Sequence, residues 1–273
     1  MKNLLIYLLT SFAFLLSETR IWDSHSAYLM PKKRWEIGLF QPFRYALSDN
    51  IEYSTHPLWF SLIPNIALKR SHSDLAGYKT ASQLKLFYPT PLLNIVARRG
   101  IGGLIDPNII MPPMLGIAGT AIASRTVFGL RTTFNAGVDL GVAMGELDRG
   151  SSIDLPLVYH RLGVFYNQWG LHTGVDLQAD LVEGVSLHLD LDIRLLPGIS
   201  KDHPQQFFTI FSGENVVEHK LLLIWNRSQS FRVITGYKLV TGQYPYGHDM
   251  RILPYIPLLE RWVPIVELQW AKK

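Results

Sequence analysis

Between residues 130 and 195 apolar side chains recur at every second position almost without interruption, which is the spacing of one face of a β-strand. In LRTTFNAGVDLGVAM, Leu130, Thr132, Phe134, Ala136, Val138, Leu140, Val142 and Met144 share a face, opposite Arg131, Thr133, Asn135, Gly137, Asp139 and Gly141. WGLHTGVDLQADLV repeats the arrangement from Trp169, and VSLHLDLDIRL shows it most cleanly from Val185. A helix of about 3.6 residues per turn would scatter these side chains around its circumference. The polar faces hold Gly, Asp, His and Gln rather than the Lys and Glu expected of a surface facing bulk water.

Apolar residues are 48% of the 273 and charged residues only 18%, yet beyond the N-terminus the apolar ones form no run of the ~20 that a spanning helix needs. The richest stretch, IIMPPMLGIAGTAIA, is broken by Pro112 and Pro113. Residues 1–17 read as a signal peptide, with Lys2 ahead of the apolar core LLIYLLTSFAFLL. No Ser/Gly linker divides the rest, so residues 18–273 read as a single β-barrel domain. The net charge of +4 is small, and the basic pairs Lys32/Lys33, Lys69/Arg70 and Arg98/Arg99 lie apart, which argues against nucleic acid as a partner. The absence of cysteine excludes disulfides and thiolate metal sites.

The pattern predicts an all-β chain, a transmembrane antiparallel up-and-down β-barrel of about twelve strands. Expected strands cover residues 35–43, 50–56, 65–71, 78–88, 115–128, 130–144, 153–166, 169–182, 185–195, 207–211, 216–226, 231–241 and 262–270. Tight turns are expected at Asn167-Gln168, Glu183-Gly184 and Ser228-Gln229, and the Pro/Gly-rich residues 89–114 as a long loop or an inward-folded plug. Two short turns in succession around residues 169–182 sit awkwardly with the alternation of short and long connections in such barrels. A soluble exported β-barrel binding protein would alternate too. Strand length decides against it, because several strands exceed the ~5–6 residues usual in globular sheets and match the ~9–11 that cross a bilayer. Trp and Tyr residues also gather near the predicted strand ends, as interfacial girdles do.

On these residues the chain resembles bacterial outer-membrane β-barrel proteins of porin-like, uncharacterised kinds. The terminal segment WVPIVELQW places Trp262, Val266, Leu268 and Trp270 on one parity, similar to the C-terminal signal read by the barrel assembly machinery, although Ala271-Lys272-Lys273 follow it. Residues 28–57 are similar to a first hairpin, with Gly38 and a polar turn at Ser48-Asp49-Asn50, and residues 234–247 to a penultimate one. The resemblance implies location in the cell outer membrane and contact with its lipids and assembly machinery. It carries over no functional residue.

The lumen candidates are His172, Asp176 and Asp180 on one strand face, and His188, Asp190, Asp192 and Arg194 with Ser186 on the next. Such a group suits a solute-selecting constriction, a metal site of imidazole and carboxylate, or side chains that neutralise one another because unpaired buried charge is costly. Mutual pairing is the expectation, with no cofactor and no metal. Ser186 and His188 share a face as in a lipid-modifying hydrolase, but on the polar side rather than the lipid side, so they stand only as weak catalytic candidates. The function expected is a non-enzymatic one: a passive or weakly selective channel for small solutes, or an envelope component without catalysis.

Overall fold

The computed structural model describes residues 22, 25–97, 108–147, 164–165, 168–196, 214–242 and 262–272. Twelve antiparallel strands close into a barrel in which each strand pairs with its sequence neighbours and β1 pairs with β12. The strands are β1 (Trp35–Gly38), β2 (Phe43–Ser48), β3 (Ile51–Thr55), β4 (Asn65–Ser71), β5 (Lys79–Phe87), β6 (Met114–Val127), β7 (Leu130–Ala143), β8 (Trp169–Val182), β9 (Val185–Leu196), β10 (Glu214–Asn226), β11 (Phe231–Gly242) and β12 (Trp262–Lys272). A single turn of helix, α1 (Pro57–Phe60), lies between β3 and β4, and a short helix, α2 (Thr90–Val96), between β5 and β6. Among the described residues no helix is long and apolar enough to cross a membrane.

The wall is inverted relative to a soluble protein. Outward Phe134, Val142 and Val266 are 46%, 56% and 60% exposed, while inward Glu36, Asp190 and Glu267 are 4%, 3% and 2% exposed. In water that surface would forfeit the hydrophobic stabilisation that folding depends on, whereas hydrocarbon suits it, and a closed barrel leaves no strand edge unpaired there. Polar side chains on the outer face find local partners. Thr173 Oγ1 donates to the Asn135 carbonyl at 3.0 Å, and the His219 ring lies 3.1 Å from both the Asp190 carbonyl and the Tyr237 hydroxyl. Exposed Trp225 and Trp270 stand at one end of the wall and Trp262 at the other, as interfacial aromatics do.

Short turns join β2–β3, β4–β5, β6–β7, β8–β9 and β10–β11 at one end, here the turn end, where β1 begins and β12 finishes. The connections at the opposite, loop end are longer, except the four residues that join β1 to β2. This settles the awkward succession of turns. The strand expected over residues 153–166 falls mostly outside the described residues, and its described part, Val164 and Phe165, is helical and buried. Because β8 pairs directly with β7, Gln168 closes a long connection rather than a hairpin. The strand expected over residues 35–43 is two strands, β1 and β2, bent where Gln41-Pro42 removes a ladder donor. The expected strand 207–211 lies outside the described residues.

The seam is short and is reinforced by side chains. Four residues of β1 pair with β12; beyond them Leu39 N–H donates to the Leu268 carbonyl (3.2 Å) and Phe40 N–H to Glu267 Oε2 (2.8 Å). Gly38 leaves room for this contact, since a Cβ there would displace the Glu267 carboxylate. At the same rim the His56 ring donates through Nε2 to the Phe40 carbonyl (3.0 Å), and the His56 N–H donates to Asn65 Oδ1 (2.9 Å). Burial pushes the His56 imidazole below its ordinary value of 6.5, an effect only partly offset by the Phe40 carbonyl. The folded rim therefore holds fewer protons than the unfolded chain, so its contribution is complete above pH 6.5 and declines as pH falls below that value. Thermal unfolding in detergent should show a smaller loss of stability between neutral and mildly acid pH for His56→Gln than for the parent.

Candidate functional site in the barrel lumen

Alternation delivers the predicted residues to the interior: Gly170, His172, Gly174, Asp176, Gln178 and Asp180 of β8, and Ser186, His188, Asp190, Asp192 and Arg194 of β9, have inward parity. They do not converge on one point. The structure divides them among separate partners. His172 Nδ1 donates to Asp139 Oδ2 (3.1 Å), which also accepts from Arg194 Nη1 (2.9 Å). His188 Nε2 hydrogen-bonds Asp176 Oδ1 (2.9 Å), and Ser186 Oγ donates to Asp180 Oδ1 (2.7 Å). Lys220 Nζ donates to Asp190 Oδ2 (2.5 Å), and Asn135 Nδ2 to Asp192 Oδ1 (3.4 Å). The Ser186 hydroxyl proton thus points at a carboxylate and His188 serves a different one, which is not the relay a nucleophilic serine uses.

The strands beside β8 and β9 complete the set. Asp139 on β7, Glu218 and Lys220 on β10 and Lys238 on β11 extend a belt of alternating charge around the wall. In it Arg194 lies 3.8 Å from Glu218 and Lys238 lies 2.8 Å from Glu218. Lys85 on β5 lies within electrostatic reach of Asp139 and Arg194. Sequence reading missed Glu218, Lys220 and Lys238, although Val216, Glu218 and Lys220 already share a parity; His219 on the lipid face obscured it. Glycines make room for the belt, since a Cβ on Gly174 would overlap Asp192 and one on Gly137 would overlap the Gly119 carbonyl and His172.

A second cluster occupies the short strands. Arg44 bridges Glu36 Oε2 (2.8 Å) and Glu52 Oε1 (2.6 Å), and Arg34 Nε adds 3.1 Å to Glu36 Oε1; all four side chains are buried. Each charge finds an opposite neighbour, the condition for tolerating ions away from bulk water.

Sequence reading missed the strap that lies over these charges. Residues 25–30 turn into the lumen at the turn end and touch the wall strand after strand. Met30 N–H donates to Glu52 Oε2 (3.3 Å), Lys69 Nζ to the Tyr28 carbonyl (2.7 Å), and Ala27 N–H to Ser124 Oγ (2.7 Å). His25 then meets His188 with ring centroids 5.3 Å apart, and Trp22 sits between the guanidinium groups of Arg34 and Arg232, 4.9 and 4.5 Å from the ring centroid. Trp22, Ser26, Ala27 and Met30 are buried. The void left beside His25 and His188 is about 10 Å³, room for one small particle.

The loop end of the lumen is apolar. Inward Phe87, Met114 and Leu196 cluster with Leu92, Leu93 and Ala97 of the α2 region, with Met111, and with Val164 and Phe165. Thr90 pins the segment, its Oγ1 donating to the Pro112 carbonyl (2.9 Å) and accepting the Met114 N–H (2.8 Å).

No protein-family model and no curated protein sequence matches the chain. Among solved structures it is similar to OccAB4 of Acinetobacter baumannii at 12% identity and a TM-score of 0.40, covering 85% of this chain and 52% of that one. It is similar to the outer membrane protein OprD of Pseudomonas aeruginosa at 9% identity and 0.40, covering 89% and 63%, and to the outer membrane channel DcaP of A. baumannii at 10% and 0.37, covering 93% and 69%. The chain therefore spans about half the length of OccAB4 and under two thirds of OprD.

Proposed function

We propose that the chain is an outer-membrane channel of weak selectivity for small polar solutes, held shut by its own N-terminal strap. The observation that carries the reading is the inverted wall, with apolar Phe134, Val142 and Val266 outside and a belt of fixed charge inside, interrupted by apolar patches at the loop end and at Leu222, Ile224 and Ile234. A pore uses such a lining to replace the hydration of a passing solute. Both signs alternate along the belt from Asp139 through Arg194 and Glu218 to Lys238, so neither cations nor anions are favoured strongly. The strap closes the turn end, which by its short connections faces the periplasm, and residues 89–97 and 108–114 narrow the loop end as a partial plug.

Reconstitution of the mature protein in planar bilayers tests the reading. Silence at low voltage with brief stepwise openings at high voltage is expected, with similar permeability to cations and anions. A mature chain that stays in buffer without detergent would overturn the membrane assignment. Insertion without steps at any voltage would leave a non-conducting envelope component.

A further inference from the structure

We propose that His25 of the strap and Asp176 and Asp190 of the wall form a binding site for one divalent transition-metal cation, which fastens the strap to β8 and β9. One ligand atom from each of the three lies within 4.8 Å of the others. Two ligands of one bound ion stand about 3–4 Å apart, so a small closing movement is needed. His25, the member not carried by a rigid strand, can make it.

Two further observations point to a ligand here. Asp190 is 3% exposed, and while its Oδ2 takes the Lys220 ammonium, its Oδ1 is buried without a hydrogen-bond donor among the described residues. A carboxylate oxygen in that position is destabilising unless a positive partner reaches it. The void of about 10 Å³ is lined by His25, Asp176 and His188 together with Arg131, Thr133 and Gln178, which sets a space of atomic size against two members of the trio. Asp176 is already oriented by its hydrogen bond from His188 (2.9 Å), as metal-bound carboxylates are oriented by an outer partner.

One imidazole and two carboxylates suit zinc, cobalt or nickel better than calcium or magnesium, which take oxygen ligands. Lys220 on Asp190 and Arg131, held by Gln178, both face the site, so the ion competes with two fixed cations and binds reversibly. The metal would act as a latch across the strap. This site rests on the barrel geometry and not on conduction.

Titration of chelator-stripped mature protein in detergent with cobalt(II), followed by its visible absorption and by zinc(II) displacement, tests the site. One saturable ion per chain is expected in the parent and in His72→Ala, where an exposed histidine is lost. His25→Ala should lose the signal while its heat-resistant gel mobility shows an intact barrel, and Asp190→Asn should lose it as well. No saturable binding by the parent, or equal binding by His25→Ala, would overturn the proposal. Neither result bears on whether the protein conducts.

Discussion

A mature chain lacking residues 18–30 is expected to conduct ions steadily where the full chain stays shut. The wall does not depend on the strap: its ladders run strand to strand, from the β1–β12 seam round to β2. What the deletion removes is the donation from Ala27 and Met30 N–H to Ser124 and Glu52 and from Lys69 to the Tyr28 carbonyl, together with the buried Trp22 against Arg34 and Arg232. Those wall groups are charged or hydroxylic and readily accept water in exchange, so the vacated lumen fills with solvent rather than collapsing. Single-channel recording of both forms decides it. A truncated barrel that inserts and folds yet gives no steps removes the strap as the closing element.

Arg44→Met is expected to lower the stability of the folded barrel by about 3–5 kcal/mol, as loss of one partner from a buried ion cluster does. Arg44 is the common neighbour of Glu36 and Glu52, and without it Glu36 keeps Arg34 with Arg232 at longer range, while Glu52 keeps the weaker N–H bond from Met30 and the more distant Lys69 ammonium. The double variant Arg44→Met with Glu52→Gln should recover a substantial part of the loss, because the uncompensated carboxylate is removed with it. Urea unfolding in detergent, followed by tryptophan fluorescence, measures both. An unchanged midpoint for Arg44→Met would show that water reaches this cluster and that the short strands are not sealed.

How much of this was legible in the sequence differs from region to region. For β7, β8 and β9 the two-residue period assigned every inward side chain, because a strand lined by lipid on one side and charge on the other has nothing to blur its parity. The partners were not legible. That Asp139 takes both His172 and Arg194 depends on the stagger between three strands, and parity says which side a residue faces but not its height. The β1–β2 bend was hidden in an apolar run, Ile37 to Phe43, whose Gln41-Pro42 is the sign of the turn. The strap was invisible for a different reason. HSAYLMP, from His25 to Pro31, makes no ladder of its own, and its conformation comes from contacts with Glu52, Lys69 and Ser124 far away in sequence. In the 89–114 segment, of which residues 98–107 lie outside the described residues, the helix α2 stands where a loop or plug is expected, and Thr90 and Asn94, which tie the described part down through Pro112 and Met111, gave no local signal.

The strands are unequal in reach, and the surrounding lipid must answer for it. β6, β7 and β8 have 14 residues each, while β1, β2 and β3 have four, six and five. At roughly 3.3 Å per residue the former exceed a hydrocarbon layer of about 30 Å even when tilted, and the latter fall well short of it. Leu39, Phe40 and Phe60, all exposed, crown that low flank. In a bilayer, acyl chains beside the seam are therefore expected to be compressed while those across the molecule keep full thickness. Such hydrophobic mismatch gives the membrane around the protein a thin sector, a place where a second membrane protein with equally short strands would find its annulus already matched.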